Sequence, residues 1–362
     1  MEAESLTPRG ATRDYESTWH LIVASAVILF MCVMAGGYTG KALGRTQETA
    51  ASAVILMYHR FGEPDYPSTN ILIDQFEEHL AEISKPRYTV MAIPEIVERI
   101  SQGKSLPDRT IGITIDDAYM SVYEKAWPRL RDAKLPFTLF VATDPVDRQT
   151  AGYMSWAQID ELRKAGVIIG SQTKSHPHMP SVSIEEAKRE LDLSNMRFKA
   201  ELGSRPELFA YPYGEFNLAI RDLVVDRGFK AAFAQNSGVV NRFLDAFALP
   251  RFALNEQFGG IDRFRLIANA LPLPVTDILP ADPVLGDNPP ALGFTVVPGV
   301  GNISTIACFA SNQGEVSLER LERRVEVRFL TPFPPGRSRI NCTMPGPEGR
   351  WRWFGMQFLV RP

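Results

Sequence analysis

The sequence predicts an α/β fold. A mostly parallel sheet closes into a (β/α) barrel, a small antiparallel β domain follows at the C-terminal end, and a transmembrane helix stands at the N-terminal end. Three observations predict it. Apolar runs rich in Val, Ile and Phe alternate with helix-patterned segments over about 200 residues, which calls for parallel strands with crossover helices. Near residue 279 this rhythm gives way to alternating Val/Phe runs broken by turns. Close to the start, the run from Leu21 to Gly40 carries no charge. About 20 such residues suffice to cross a hydrocarbon core of roughly 30 Å.

In chain order, residues 1–20 form an N-terminal tail with Glu2, Glu4, Asp14 and Glu16 beside Arg9 and Arg13. So long and acidic a tail favours an uncleaved signal anchor over a cleaved signal peptide for residues 21–40. Residues 41–52, KALGRTQETAAS, form a short polar linker. The barrel is expected over 53–278, with strand-like runs AVILMYH, YTVMAI, TIGITI, FTLFVA, VIIGS, ELFAYP and FKAAFA. Seven or so units favour a closed barrel over a doubly wound sheet. Ser155 reads as a helix N-cap, and Gly166 and Gly228 as helix stops. Residues 279–292 are rich in Pro, Gly and Asp, as a linker is, and 293–362 form the small β domain.

Composition narrows the function. Apolar residues at 45%, charged residues at 22% and a net charge of −3 describe a globular chain without a polyanion-binding stripe, so no nucleic-acid partner is expected. No glycine-rich phosphate loop points to a nucleotide cofactor. Outside the membrane run there are two cysteines, Cys308 and Cys342: a disulfide if the body of the protein is exported, buried thiols if it is not.

Polar clusters stand at the ends of four apolar runs: His59 after AVILMY, Asp116-Asp117 after TIGITI, the segment SQTKSHPH after VIIG, and Pro212-Tyr213-Gly214 after ELFAY. In a parallel barrel the carboxyl ends of the strands share one face, where function gathers. Adjacent carboxylates on a strand end point to opposite sides and can divide roles, one toward a cation and one as a base. Alone, such a pair is more often a helix cap; followed by imidazoles two units later, it reads as a site. A carboxylate with imidazoles suits zinc or a similar divalent ion. Pro177 keeps His176 and His178 in a loop. His79, inside an amphipathic helix, reads as structural.

TIDDAY, SQTKSHPHM and AYPYGEFN resemble, in order and spacing, the first three motifs of the polysaccharide deacetylases of carbohydrate esterase family four, over roughly residues 53–275. MYHR and the LPR at 249–251 resemble one branch of that family. The resemblance implies a distorted (β/α) barrel that removes N- or O-acetyl groups from a polymeric sugar with a divalent metal, most simply zinc. Carried across, Asp116 is the general base, Asp117 a metal ligand and His176 the second metal histidine. Gln172 stands at the first histidine's position, with His178 as the alternative third ligand. The expected arginine is Ala210, and the family's late histidine is missing. Arg251 is then a candidate to steady the base or contact substrate, and His59 a candidate acid. Pro212 and Tyr213 would border the substrate, with a backbone N–H near Tyr213 facing the oxyanion. Trp156, Tyr153 and Tyr119 are candidates for sugar stacking, while Trp351, Trp353 and Phe354 would pack on the barrel or bind glycan. Such a substrate implies an inner-membrane protein with its catalytic body in the periplasm, and a Cys308–Cys342 disulfide. A non-catalytic glycan-binding protein on the same fold is the alternative.

Overall fold

The computed structural model describes residues 51–361. The expected anchor at 21–40 lies outside the described residues, among which no helix is long and apolar enough to cross a membrane.

The first half comprises β1 (Ser52–Tyr58), β2 (Arg60–Phe61), β3 (Asn70–Ile71), α1 (Ile73–Ile83), β4 (Thr89–Val90), α2 (Ile93–Ser101), β5 (Thr110–Asp116), α3 (Trp127–Asp132), β6 (Thr138–Val141), α4 (Thr143–Asp147) and α5 (Trp156–Lys164). Then come β7 (Ile168–Ser171), α6 (Ile184–Leu202), β8 (Leu208–Ala210), α7 (Leu218–Asp226), β9 (Ala231–Phe233), β10 (Val239–Asn241), β11 (Phe252–Ala253) and α8 (Ile261–Ala268). Every residue of β5 is buried, which is why its sequence is continuously apolar rather than alternating. Each isoleucine there contributes roughly 1.5–3 kcal/mol of burial. Ser155 caps α5 through the Gln158 N–H, and Gly166 and Gly228 follow α5 and α7 with φ of 96° and 70°.

The first sheet runs β10-β1-β5-β6-β7-β8-β9, with β4 beside β5 and β11 beside β1. The pairs from β1 to β9 in this order are parallel. The chain from Leu249 to Ala253 closes the curl. Leu249 pairs with Phe233 of β9 in parallel, and Phe252 pairs with Leu56 of β1. All strand ends that carry polar residues therefore open on one rim.

A second sheet holds β12 (Leu271–Pro272), β13 (Val275–Leu279), β14 (Leu292–Val296), β15 (Ala307–Ala310), β16 (Gly314–Leu321), β17 (Arg324–Arg328), β18 (Gly336–Pro345) and β19 (Trp351–Val360). Its order is β12-β19-β18-β15-β16-β17-β14-β13. All pairs are antiparallel except β12 with β19. It takes up chain at Leu271, before the boundary expected at 279, because Leu271 pairs with Arg352 of β19 and Val275 with Val296 of β14. Cys308 and Cys342 are opposite each other in register on β15 and β18 and are joined as a disulfide.

The two sheets meet at specific points. Trp353 of β19 packs edge-on against Phe252 of the barrel, ring centres 5.3 Å apart. Asn236 Nδ2 donates to the Gly355 carbonyl at 2.8 Å. A Cβ at Gly355 would stand 2.2 Å from the Ser237 carbonyl oxygen, so only glycine allows this approach.

Candidate active site

β5 delivers Asp116 to the rim as a fully buried carboxylate. Arg251, in the middle of the closing segment, is equally buried and grips it bidentately. Its Nη1 donates to Asp116 Oδ1 at 2.6 Å and its Nη2 to Oδ2 at 2.8 Å. The Arg251 Nε donates to the Ala234 carbonyl at 3.0 Å, and Nη1 also reaches Thr114 Oγ1 at 3.1 Å. A charge pair so deep persists because each guanidinium nitrogen has an acceptor. Arg251 thus supplies a guanidinium where Ala210, at the end of β8, has none. Its fully buried fork is occupied by Asp116 and is turned away from the substrate contact expected from its strand-end place.

The next residue faces the other way. Asp117 borders a cleft of about 580 Å³ whose walls include His59, Tyr119, Tyr153, His176 and Tyr213. Its Oδ1 lies 3.6 Å from His176 Nε2. Gln172 is buried at the end of β7, and its side-chain oxygen accepts from the Asp117 N–H at 3.4 Å. Asp117, Thr173, His176 and Tyr213 all have φ between 58° and 69°. Non-glycine residues in this region cost on the order of 1–3 kcal/mol each and concentrate where a site dictates the backbone. A π-helical turn at Val122–Ala126 follows Asp117 closely.

A carboxylate, an imidazole and an amide oxygen are donors that suit a borderline divalent cation. Asp117 and His176 converge at 3.6 Å and the Gln172 amide oxygen adjoins the Asp117 backbone, so the donor types brought together fit such an ion. No three His, Cys, Asp or Glu side chains gather around one point among the described residues. His178 is held elsewhere. Its Nδ1 bonds buried Glu215 at 2.7 Å, and its ring stacks on Tyr213 at 4.0 Å. A further neighbour of the Tyr213 ring is His176, edge-on at 4.6 Å.

His59 lines the cleft, with Nε2 3.8 Å from Asp116 Oδ2. The strand ends therefore form a row, Arg251–Asp116–His59, that starts in the core and finishes at the cleft. Pro212 is buried and shapes the turn from below. Burial, and after it the Asp117 charge, hold the Tyr119 phenol far above its ordinary pKa, and the same two causes raise Tyr213. Both therefore remain neutral hydrogen-bonding groups. Tyr119 and Tyr153 face the cleft, whereas Trp156 packs on Phe198 and donates to Asp147. Sequence reasoning missed Gln235 and the two arginines of β18, Arg337 and Arg339, which also line the cleft. The alternation of RSRINCT places those arginines on one strand face, but nothing in it says what that face meets.

Residues 103–232 match the family described as polysaccharide deacetylase. Those residues form a polysaccharide deacetylase domain. The poly-β-1,6-N-acetyl-D-glucosamine N-deacetylase of Staphylococcus aureus is 21% identical over 234 residues, covering 57% of this chain and 79% of that protein. Among solved structures, the deacetylase PplD of Streptococcus pyogenes in complex with acetate superposes with a TM-score of 0.56 at 20% identity, over 60% of this chain and 98% of that one. IcaB of Ammonifex degensii gives 0.51 at 23% identity, over 60% and 97%. These superpositions establish the barrel as the deacetylase fold. His59, directly after β1, and Arg251, in the closing segment, lie outside residues 103–232.

Proposed function

We propose that the chain is a metal-assisted polysaccharide N-deacetylase acting on a polymer that contains N-acetylglucosamine. The observation that carries this reading is the 3.6 Å approach of Asp117 and His176 in the cleft, directly beside a buried Asp116 locked by Arg251. Asp117 and His176, with the Gln172 amide oxygen, would hold the divalent ion, zinc foremost. When bound, such an ion polarises the acetyl carbonyl and acidifies a water. The Asp116–His59 pair performs the proton transfers. His59 fronts the cleft 3.8 Å from Asp116 Oδ2, and Asp116, expected to be the base itself, is fully buried in the Arg251 fork and instead balances the charge of the imidazole when that is protonated. The proton taken from the attacking water is returned to the leaving nitrogen. The Tyr213 backbone N–H would donate to the developing oxyanion, a contribution of about 3–4 kcal/mol in a comparable hydrolase. Tyr119 and Tyr153 offer rings and hydroxyls to the sugar.

The reading extends to location. An uncharged run at 21–40 and a disulfide in the second sheet together favour a protein anchored in the inner membrane with this domain in the periplasm. The test uses the purified full chain and acetylated glucosamine oligomers. Acetate release should appear, disappear on chelation, return with added zinc, and fall at least about a hundredfold in Asp117→Ala. Release that survives both chelation and Asp117→Ala would overturn the metal-assisted reading. The weak third ligand, Gln172, favours a second reading, a glycan-binding protein on a deacetylase fold. Oligomer binding without acetate release, with or without zinc, would select it.

A further inference from the structure

The second sheet does more than brace the barrel. β18 sends Arg337 and Arg339, two positions apart and so on the same face, into the cleft wall that also carries Tyr213 and Gln235. Arg337 is partly matched. Its Nη1 donates to the Tyr213 carbonyl at 3.2 Å, and its Nε lies 3.5 Å from Glu215, a carboxylate it shares with His178. Arg339 is matched less well. Its Nε donates to the neutral side-chain oxygen of Gln357 at 3.2 Å, and no carboxylate pairs with it among the described residues. Burial, and after it the like charge of Arg337, lower its pKa. A half-buried guanidinium beside another, answered only by an amide, is a standing electrostatic cost that an arriving anion would relieve.

We infer that Arg337 and Arg339 form an anion subsite within the glycan cleft, so that the preferred substrate is an acidic polysaccharide with a carboxylate or phosphate near the acetylated sugar. This rests on the reading of the cleft as a deacetylase site. Guanidinium forks match the paired oxygens of carboxylate and phosphate. Neutral hydroxyls would be served equally by Asn or Gln without the charge. The same pair opposes a cationic amine in that position, so a stretch of chain already deacetylated is disfavoured there.

The full chain is titrated at low salt with three oligomers of equal length: neutral N-acetylglucosamine, N-acetylglucosamine alternating with glucuronate, and the neutral oligomer carrying a phosphomonoester. Acetate release is measured on the same samples. At least one acidic oligomer should bind about tenfold or more tightly than the neutral one, and the tighter of the two identifies the anion. In Arg339→Gln that ratio should fall toward one, while Arg339→Lys should retain most of it, and unchanged melting temperatures would show both variants folded. Equal binding of all three oligomers, or a ratio unaltered in a folded Arg339→Gln, overturns the subsite. Acetate release without the preference overturns the subsite and leaves the deacetylase reading standing. The preference without acetate release from any oligomer does the reverse.

Discussion

Arg251 and Asp116 are 135 positions apart in sequence yet share one buried bidentate contact. Removing the guanidinium would leave an unanswered carboxylate in the core, at a cost of about 3–5 kcal/mol. Arg251→Ala should therefore lower the unfolding free energy by that order and abolish acetate release. Arg251→Lys, which keeps the charge and loses the fork, should remain folded and lose most of the turnover. Denaturant unfolding and an acetate assay on the same samples check both, and full activity in the lysine variant would contradict the positioning role. The neighbouring question concerns Gln172, whose amide oxygen adjoins Asp117. An imidazole is a stronger ligand for zinc than a neutral amide, so Gln172→His should tighten zinc binding by about tenfold or more, read directly by competition with a chelating dye. Equal affinity in the two proteins would place Gln172 outside the coordination shell. At this scale Asp116 and Asp117 were legible because they end an apolar run, and His176 because it stands in the polar cluster that follows one. The meeting of Arg251 with Asp116 was not, because it depends on barrel closure. The engagement of His178 by Glu215 and Tyr213 had no local sign either.

Among the elements, α1 shows how a polar residue can belong to a core. His79 lies on its inner face with no exposed surface, between the Tyr58 hydroxyl at 3.1 Å and the Gly259 carbonyl at 2.7 Å, and stacked on Phe264 of α8. Burial first, offset in part by the Gly259 hydrogen bond, brings its pKa down to about 4 from an ordinary 6.5. Between these values the unfolded chain binds the proton and the folded chain does not, so stability is complete above about 6.5 and is lost as pH falls toward 4. The loss amounts to roughly 3 kcal/mol at most. Unfolding free energies measured from pH 7 to 4 should decline by about that much more in the wild type than in His79→Phe, which retains the ring stack. Parallel pH profiles would refute the assignment. The structural reading of His79 was available from its helical phase alone. The long buried strands were available too, since an uninterrupted apolar run is what a strand covered on both sides requires. The two-residue strands β2 and β3 were not, because so short a pairing leaves no periodicity to detect.

For the whole molecule, the decisive contacts between the sheets are made to backbone carbonyls. Gln357 Nε2 reaches the Tyr213 and Gly214 carbonyls at 3.3 and 3.2 Å, Arg337 reaches the Tyr213 carbonyl, and Asn236 reaches the Gly355 carbonyl. A carbonyl acceptor carries no side-chain signature, so the sequence announced a second β unit without revealing that it seats the turn holding Tyr213. This seating makes a prediction distinct from simple stability. In Gly355→Ala the added Cβ would press on the Ser237 carbonyl from 2.2 Å, which is backbone and cannot swing aside. β19 must therefore withdraw from the loop at 235–238, carrying Gln357 away from Tyr213. The cost to unfolding should be about 1–3 kcal/mol, in the range of overpacked sites. Because the displaced strand steadies a turn in the cleft, acetate release at 25 °C should fall severalfold even where nearly all molecules remain folded. Circular dichroism at the assay temperature establishes the folded fraction, and release per folded molecule is the deciding quantity. Unchanged release per folded molecule would mean that the barrel holds Tyr213 alone; a decrease would mean that the catalytic unit comprises both sheets.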